Sequence, residues 1–541
     1  MKCSTTAKGF IRHSAICAPV SSKQIVIFQG STCPPKLDQI IGKVDTATGQ
    51  IIATRKQKSK KQLPDTAEAI KPGPAAITAT ARYFYGATYL FHKIGEQLGL
   101  TSDLKQCFPN TYKQIQSIAY YLILEDSNPL SRFPKWSELH KHPYGQDIPS
   151  QRSSEIFAAI TEESREQFFR LQGKRRIEKE YWAYDTTSIS SYSNCLKQVK
   201  FGVNKDHDPL PQINLALLFG EESNLPFYYR KLPGNIPDVK TVKNLLADMD
   251  FFDYKKIKLV MDRGFYSEDN INALYQSHLK FLMATKLSLK YVKTELEKVR
   301  SDMRTWTHYS QKYDLYAQSS SISWNYTQER PYKGDQITSE RRMYLHLYFN
   351  SEKATEDERR QNILLISLQE ELESGKRSAE HEKLYTKYFD VQTTPVRGCK
   401  VIARQEAIDE TKKNYGYFAL ISNDIKDPIE ALEIYRNKDL VEKAFGNLKE
   451  RLNLRRTLVS SDLGLDGKLF VEFIALIYLS YIKKKMQDGD LFKKYTLQSL
   501  LDEFDVIEYF EQKGCDGRWG EMTNRQSRLY LDLGVTPPSL H

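Results

Sequence analysis

Between residues 180 and 284 the chain spells one ordered run of secondary structure, and few folds accommodate it. Residues 180–190 are rich in aromatic and β-branched side chains and read as a strand with Asp185 at its middle. Residues 212–219 and 225–230 read as two more strands. A helix follows from Asp238, with Val242, Leu245, Leu246 and Met249 on one face. Residues 256–262 make a fourth strand ending on Asp262. Ser267 caps a second helix through Tyr275, and residues 280–284 make a fifth strand. Three strands, helix, strand, helix, strand specify an α/β sheet that starts antiparallel and continues through parallel crossovers.

The flanks have other patterns. Residues 1–54 are a small β-rich segment, with strands expected at 24–28 and 50–53. Residues 55–77 form a basic, proline-containing linker, either a solvated tether or a phosphate-binding arm. Residues 78–178 are expected to form a helical domain with possible DNA binding, its helices at 83–98, 102–108, 111–125 and 153–172. The core sheet occupies 179–286. Residues 287–413 break its rhythm and read as an insertion, with a strand at 342–349, a charged helix over 355–375 and a β segment near 396–403. Residues 414–485 return to the core through a strand at 415–422 and include an apolar helix at 469–482. Residues 486–541 are a polar tail.

The formal charge of +11 and a pI near 8.9 favour a polyanionic partner, nucleic acid first. The 33 tyrosines and 25 phenylalanines supply stacking surface as well as core. Seven scattered cysteines without a Cys-x-x-Cys pair argue for reduced thiols in the cytoplasm, against a zinc knuckle or disulfide scaffold. Residues 1–20 lack the continuous apolar stretch of an export signal. The apolar run 469–482 contains Glu472 and is too short to span a bilayer, so no membrane is expected.

One helix, from a cap at Asp427 with Pro428 in its first turn, carries the chemistry-bearing face. Tyr435, Glu442 and Lys449 are spaced by seven, and Lys438 lies four before Glu442. Ile434, Val441, Phe445 and Leu448 form the apolar stripe beside them. Alone, this is an amphipathic helix with a Lys–Glu pair. Alone, too, Asp185 reads as a turn residue and Asp262-Arg263-Gly264 as an Asx turn. Together they read differently. In an RNase H-like sheet the first and fourth strands are neighbours, and a later helix brings a third carboxylate to the same edge. Asp185, Asp262 and Glu442 could then hold two divalent ions about 4 Å apart. Their hard oxygens select Mg²⁺ or Mn²⁺.

Over residues 80–485 the chain resembles the DDE transposases of bacterial insertion sequences, in the insertion sequence four superfamily. The residues that carry the resemblance are the Asp185-Thr186-Thr187 strand, the Gly234-Asn235-x-x-Asp238 turn and Asp262-Arg263-Gly264-Phe265. They are joined by a Tyr-(2)-Arg-(3)-Glu-(6)-Lys signature on Tyr435, Lys438, Glu442 and Lys449. Lys438 stands where the family has arginine, keeping the charge and losing the planar fork. The resemblance implies an RNase H-like core interrupted by a β-rich insertion domain between the second aspartate and the glutamate, behind the helical N-terminal domain already read from the spacing. It implies cut-and-paste transposition at terminal inverted repeats of double-stranded DNA, strand transfer into target DNA, and a homodimer on paired ends. Asp185, Asp262 and Glu442 become catalytic metal ligands, and Tyr435, Lys438, Lys449 and Arg263 become DNA contacts. An insertion-domain tryptophan is expected to stack on a flipped base, Trp306 beside His308 and Tyr309 ahead of Trp324. The expected location is cytoplasmic, on the nucleoid. Two alternatives stay open: an RNase H-like nuclease or resolvase without strand transfer, and a non-catalytic DNA-binding derivative.

Overall fold

A computed structural model of the chain describes residues 80–539, apart from positions 127, 177–179, 194, 253–256, 330–335, 395–397, 458 and 513–514, together with four short strands nearer the N-terminus. The chain divides into Met1–Ile77 and Thr78–His541. In the first unit Ala15–Cys17 pairs antiparallel with Val26–Phe28, and Lys43–Val44 with Ile51–Ile52. The basic run 55–61 lies outside the described residues.

The second unit opens with β1 (Thr80–Phe84) and helices α1 (Gly86–Gln97), α2 (Leu100–Cys107), α3 (Tyr112–Leu124), α4 (Ser150–Ala158) and α5 (Glu162–Arg176). The helix expected over 153–172 is therefore two. Ser102 does not cap α2: Gly99 does so in the left-handed region (φ 68°), and the Ser102 hydroxyl donates back to Gly99 O at 2.8 Å.

The expected run follows as β2 (Tyr181–Ser191), β3 (Gln212–Gly220), β4 (Pro226–Pro233), α6 (Asp238–Phe251), β5 (Lys258–Met261), α7 (Glu268–Gln276) and β6 (Lys280–Thr285). β2, β3 and β4 pair antiparallel, while β2, β5 and β6 pair parallel. Ser267 caps α7, accepting from the Asn270 amide at 3.1 Å. Pro237, not Asp238, is the N-cap of α6, which leaves the Asp238 carboxylate for other work.

Residues 287–413 are more mixed than a separate β domain. They comprise α8 (Lys290–Val299), β7 (Leu315–Glu329), β8 (Gln336–Phe349), α9 (Ser351–Glu373), α10 (Glu382–Tyr388), β9 (Phe389–Thr394), β10 (Gly398–Ala403) and α11 (Gln405–Lys412). The long β7–β8 hairpin joins the central sheet through β11 (Tyr417–Ser422), giving the order β4-β3-β2-β5-β6-β11-β8-β7. α9–α11 and the β9–β10 hairpin make a satellite around Leu368, Leu372, Tyr385 and Phe389.

The chain closes with α12 (Pro428–Asn437), α13 (Asp439–Gly446), α14 (Asp462–Asp488), α15 (Leu497–Asp505) and α16 (Asn524–Asp532). α14 packs against α3, α4 and β4, so the N-terminal helices and the sheet share one core, running from Phe91 through Phe470 and Tyr478 to Phe227. The approach is close. A Cβ on Gly467 would sit 2.1 Å from Phe157 O on α4, a distance only glycine permits. The polar tail returns to the start of the unit: β12 (Glu508–Gln512) pairs with β1, and the Tyr530 hydroxyl donates to Gly86 O at 2.8 Å. Among the described residues no helix is long and apolar enough to cross a membrane.

Candidate active site

Asp185 and Asp262 meet by register. β2 and β5 run parallel with Tyr184 opposite Met261. The next residue on each side is an aspartate, so the two stand abreast. Asp262 ends its strand and accepts from the Arg263 amide at 2.8 Å and from the Tyr435 hydroxyl at 2.7 Å. Asp185 accepts from the Thr186 amide at 2.7 Å. The turn expected at 234–238 is built for this edge. Gly234 leaves no room for a Cβ, which would lie 2.0 Å from Gln212 O, and Asp238 follows at the start of α6.

The third carboxylate comes from the helical segment after β11. Asp427 caps it, accepting from the Ile429 and Glu430 amides at 2.9 and 2.8 Å. The segment expected to run unbroken to Lys449 changes winding twice. At Lys438 it tightens: the Lys438 amide bonds Tyr435 O, and the Val441 amide bonds Lys438 O. Over Asn447–Arg451 it widens into a π turn. Glu442 is exposed and lines the same cleft, of about 520 Å³, as Asp185, Asp262, Lys205, Lys449 and Arg455.

Lys438 does not project as a surface grip. It is 4% exposed, its ammonium lies 3.4 Å from Glu442 Oε1, and its charge is felt by Asp185, Asp262 and Glu442. Burial alone would lower its pKa, yet those three carboxylates raise it. The other expected phosphate contacts are also engaged by acids. Tyr435 donates to Asp262, and Lys449 pairs with Asp206 at 2.5 Å. Arg263 is exposed beside the site. Trp306 is 85% exposed on the turn Trp306–His308 and does not line the cleft. Trp324 is buried, donating to Asn272 Oδ1 at 2.9 Å and packing edge-on against Tyr291.

Two further charged residues belong to this site: Lys205, which the sequence pattern did not single out, and Asp238, known from it only as a helix start and the end of the 234–238 turn. Lys205 Nζ reaches Thr186 O (2.7 Å), Thr186 Oγ1 (2.8 Å), Asp238 Oδ2 (3.1 Å) and Asp185 Oδ1 (3.5 Å). Thr186 Oγ1 in turn donates to Asp238 Oδ1 at 2.5 Å. The loop 192–211 that carries Lys205 is further tied by Asp206 to Lys449 and by Asp208 to Arg456 at 3.0 Å. Its length was the available signal, because antiparallel neighbours need only a short turn and long loops are commonly functional.

Among the described residues no three His, Cys, Asp or Glu side chains are gathered closely enough to hold an ion. Tyr435 and Lys205 hold the two aspartates, and Glu442 turns toward Lys438. The donor set still fits a hard divalent cation: three carboxylates on one cleft, one of them exposed and able to turn. Burial raises the Asp185 pKa despite Lys205 and Lys438, so this carboxylate is undercompensated. At Asp262 burial is outweighed by the Tyr435 hydrogen bond, the Lys438 charge and the Arg263 amide, and the pKa is lowered.

Comparison with solved structures finds likeness to a cryo-EM structure of the piggyBac transposase synaptic complex with hairpin DNA. The identity is 10%, covering 78% of this chain and 77% of that one, with a TM-score of 0.37. No curated protein matches the chain. The family model described as the transposase DDE domain matches residues 179–478, more than half of the sequence and all three carboxylates. The chain belongs to the transposase DDE domain family and is a DNA transposase.

Proposed function

We propose that the protein moves an insertion sequence of the insertion sequence four superfamily by cut-and-paste transposition. It would cleave at the terminal inverted repeats and join the freed ends to target DNA. The observation that carries this reading is the parallel register that sets Asp185 beside Asp262 on a cleft shared with Glu442. These three residues would hold two Mg²⁺ or Mn²⁺ ions. When bound, the ions supply charge that activates a water or 3′-hydroxyl and steadies the leaving oxygen.

The chain's own residues do the rest. Tyr435 orients Asp262 through its hydroxyl, and Lys438 holds all three carboxylates within reach of one charge. Lys449 and Arg455 line the cleft where phosphates would enter, and DNA would displace Asp206 from Lys449. Arg263 lies at the rim, and Trp306 presents an exposed ring to an extruded base. A homodimer on paired ends, acting on the nucleoid in the cytoplasm, completes the proposal. In this reading the stretches 78–178, 179–286, 287–413 and 414–485 serve as end-binding helices, first core half, insertion and second core half.

The test is cleavage of DNA carrying the element's own ends, with Mg²⁺ and with chelator. Wild type should cut and join the ends only with metal, while Asp262→Asn should bind without cutting. Cutting without joining would favour a nuclease or resolvase. Equal cleavage by the variant would end the proposal.

A further inference from the structure

A second pocket, of about 320 Å³, lies between α13 and α14 and shares no lining residue with the catalytic cleft. Three lysines border it: Lys443 on α13, next to the catalytic glutamate in sequence, and Lys483 and Lys484 on α14. No carboxylate lines it. Lys484 pairs with Asp488 at 3.0 Å one turn on, and Lys483 donates to Asn447 Oδ1. Burial and then the charge of Arg451 lower the Lys483 pKa, with Lys443 adding to the effect and Glu450 partly opposing it.

The lining holds further unmet polarity. Asn224 and Ser480 are 7% and 4% exposed, and Asn224 Oδ1 and Ser480 Oγ have no hydrogen-bond partner. Apart from Gln487, the remaining wall is apolar, formed by Phe219, Leu440 and Ala444, with Phe492 49% exposed at the edge. A pocket of this volume suits a small ligand. A bare anion would use the lysines and leave the apolar wall wet; an apolar ligand would leave the lysines unpaired. A nucleotide satisfies both, its phosphate among the lysines and its base against an aromatic ring.

We propose that this pocket binds a nucleotide unit, with its phosphate held by Lys443 and Lys483 and its base stacked on Phe492. The unit comes either from a DNA strand passing behind the catalytic helix or from a free nucleotide.

Calorimetric titration of the full chain with dAMP, without divalent metal, tests this. We expect dAMP to bind more tightly than inorganic phosphate or deoxyadenosine. Lys443→Glu should weaken dAMP binding about tenfold or more, the scale of one charge-assisted contact. Phe492→Ala should weaken dAMP and leave phosphate unchanged. Lys443 and Phe492 are exposed, so these variants should keep the wild-type melting temperature even if Lys483→Gln fails to fold. Displacement of dAMP by a single-stranded oligonucleotide assigns the site to DNA; dAMP binding without displacement assigns it to a free nucleotide. Asp262→Asn should bind dAMP normally, which separates this site from the catalytic proposal. Absence of dAMP binding, or equal affinity in wild type and Lys443→Glu, overturns the inference.

Discussion

Asp185 and Asp262 stand side by side on parallel strands, yet the fold pushes their carboxyl groups in opposite directions. Asp185 lies within a long strand flanked by β3 and β5, and burial governs it. Its nearest cation is a loop lysine at 3.5 Å, too far for a strong hydrogen bond. Both aspartates accept from the amide of the following residue, and Asp262, where its strand ends, also accepts from the Tyr435 hydroxyl. The Asp185 half of the site is therefore short of positive charge, and the Asp262 half is satisfied.

The largest effect that would break this contrast comes from removing each charge. Asp185→Asn and Asp262→Asn should each reduce end cleavage about a thousandfold or more, since bound metal supplies several kcal/mol of charge stabilisation. Their effects on stability should differ in sign. Folding raises the Asp185 pKa, so its ionisation subtracts stability as pH rises from the unfolded through the folded value, and above. Folding lowers the Asp262 pKa, so its contribution is present above the unfolded value and is lost as pH falls through the folded one. At neutral pH Asp185→Asn should raise the melting temperature of the DNA-free protein, and Asp262→Asn should lower it. The same sign in both would refute the contrast.

Lys438 couples the two halves. Lys438→Met should lower cleavage about a hundredfold, the scale of losing one fixed charge in a water-poor site. Lys438→Arg should retain both cleavage and end binding. A clear loss of end binding in the arginine variant would mean that the lysine's compact head is itself required.

Tyr435→Phe acts on the satisfied half alone. Cleavage should fall about tenfold or less, as for one hydrogen bond to a charged group. The acid limb of the pH–rate profile should move to higher pH, because Asp262 loses a donor that favours its ionised form. An unshifted limb would show that Asp262 is not the group titrating there.

The smallest change is expected at Lys205, on the undercompensated half. Lys205→Met should tighten Mn²⁺ binding to the DNA-free protein about twofold to fivefold, the worth of a partly exposed ion pair. Weaker binding would show that Lys205 organises the oxygens rather than competing for them.

Much of this site could be read from the chain. Aromatic and β-branched composition placed Asp185 within a strand, the apolar run before it put Asp262 at a strand end, and an RNase H-like order made those strands neighbours. Spacing by seven put Tyr435, Glu442 and Lys449 on one face. Depth could not be read: periodicity marks the face on which Lys438 lies, while its burial depends on two strands more than 170 residues earlier. Lys205 was missed, and Asp238 was read only as a helix start and turn residue, because a loop and a helix start meet only after the sheet forms. The β7–β8 hairpin was read as part of an insertion because alternation specifies a strand and not its partner. The union of the N-terminal helices with the sheet depends on α14, whose apolar residues give no hint that α3 and α4 will cover them.

Asp185, Asp262 and Glu442 should converge on divalent metal when DNA is bound. Anomalous diffraction from crystals grown with Mn²⁺ and end DNA tests it most directly. Strong peaks are expected about 2.0–2.4 Å from oxygens of all three carboxylates, with Tyr435 still bonded to Asp262. Peaks confined to other sites, with the three carboxylates apart, would contradict it.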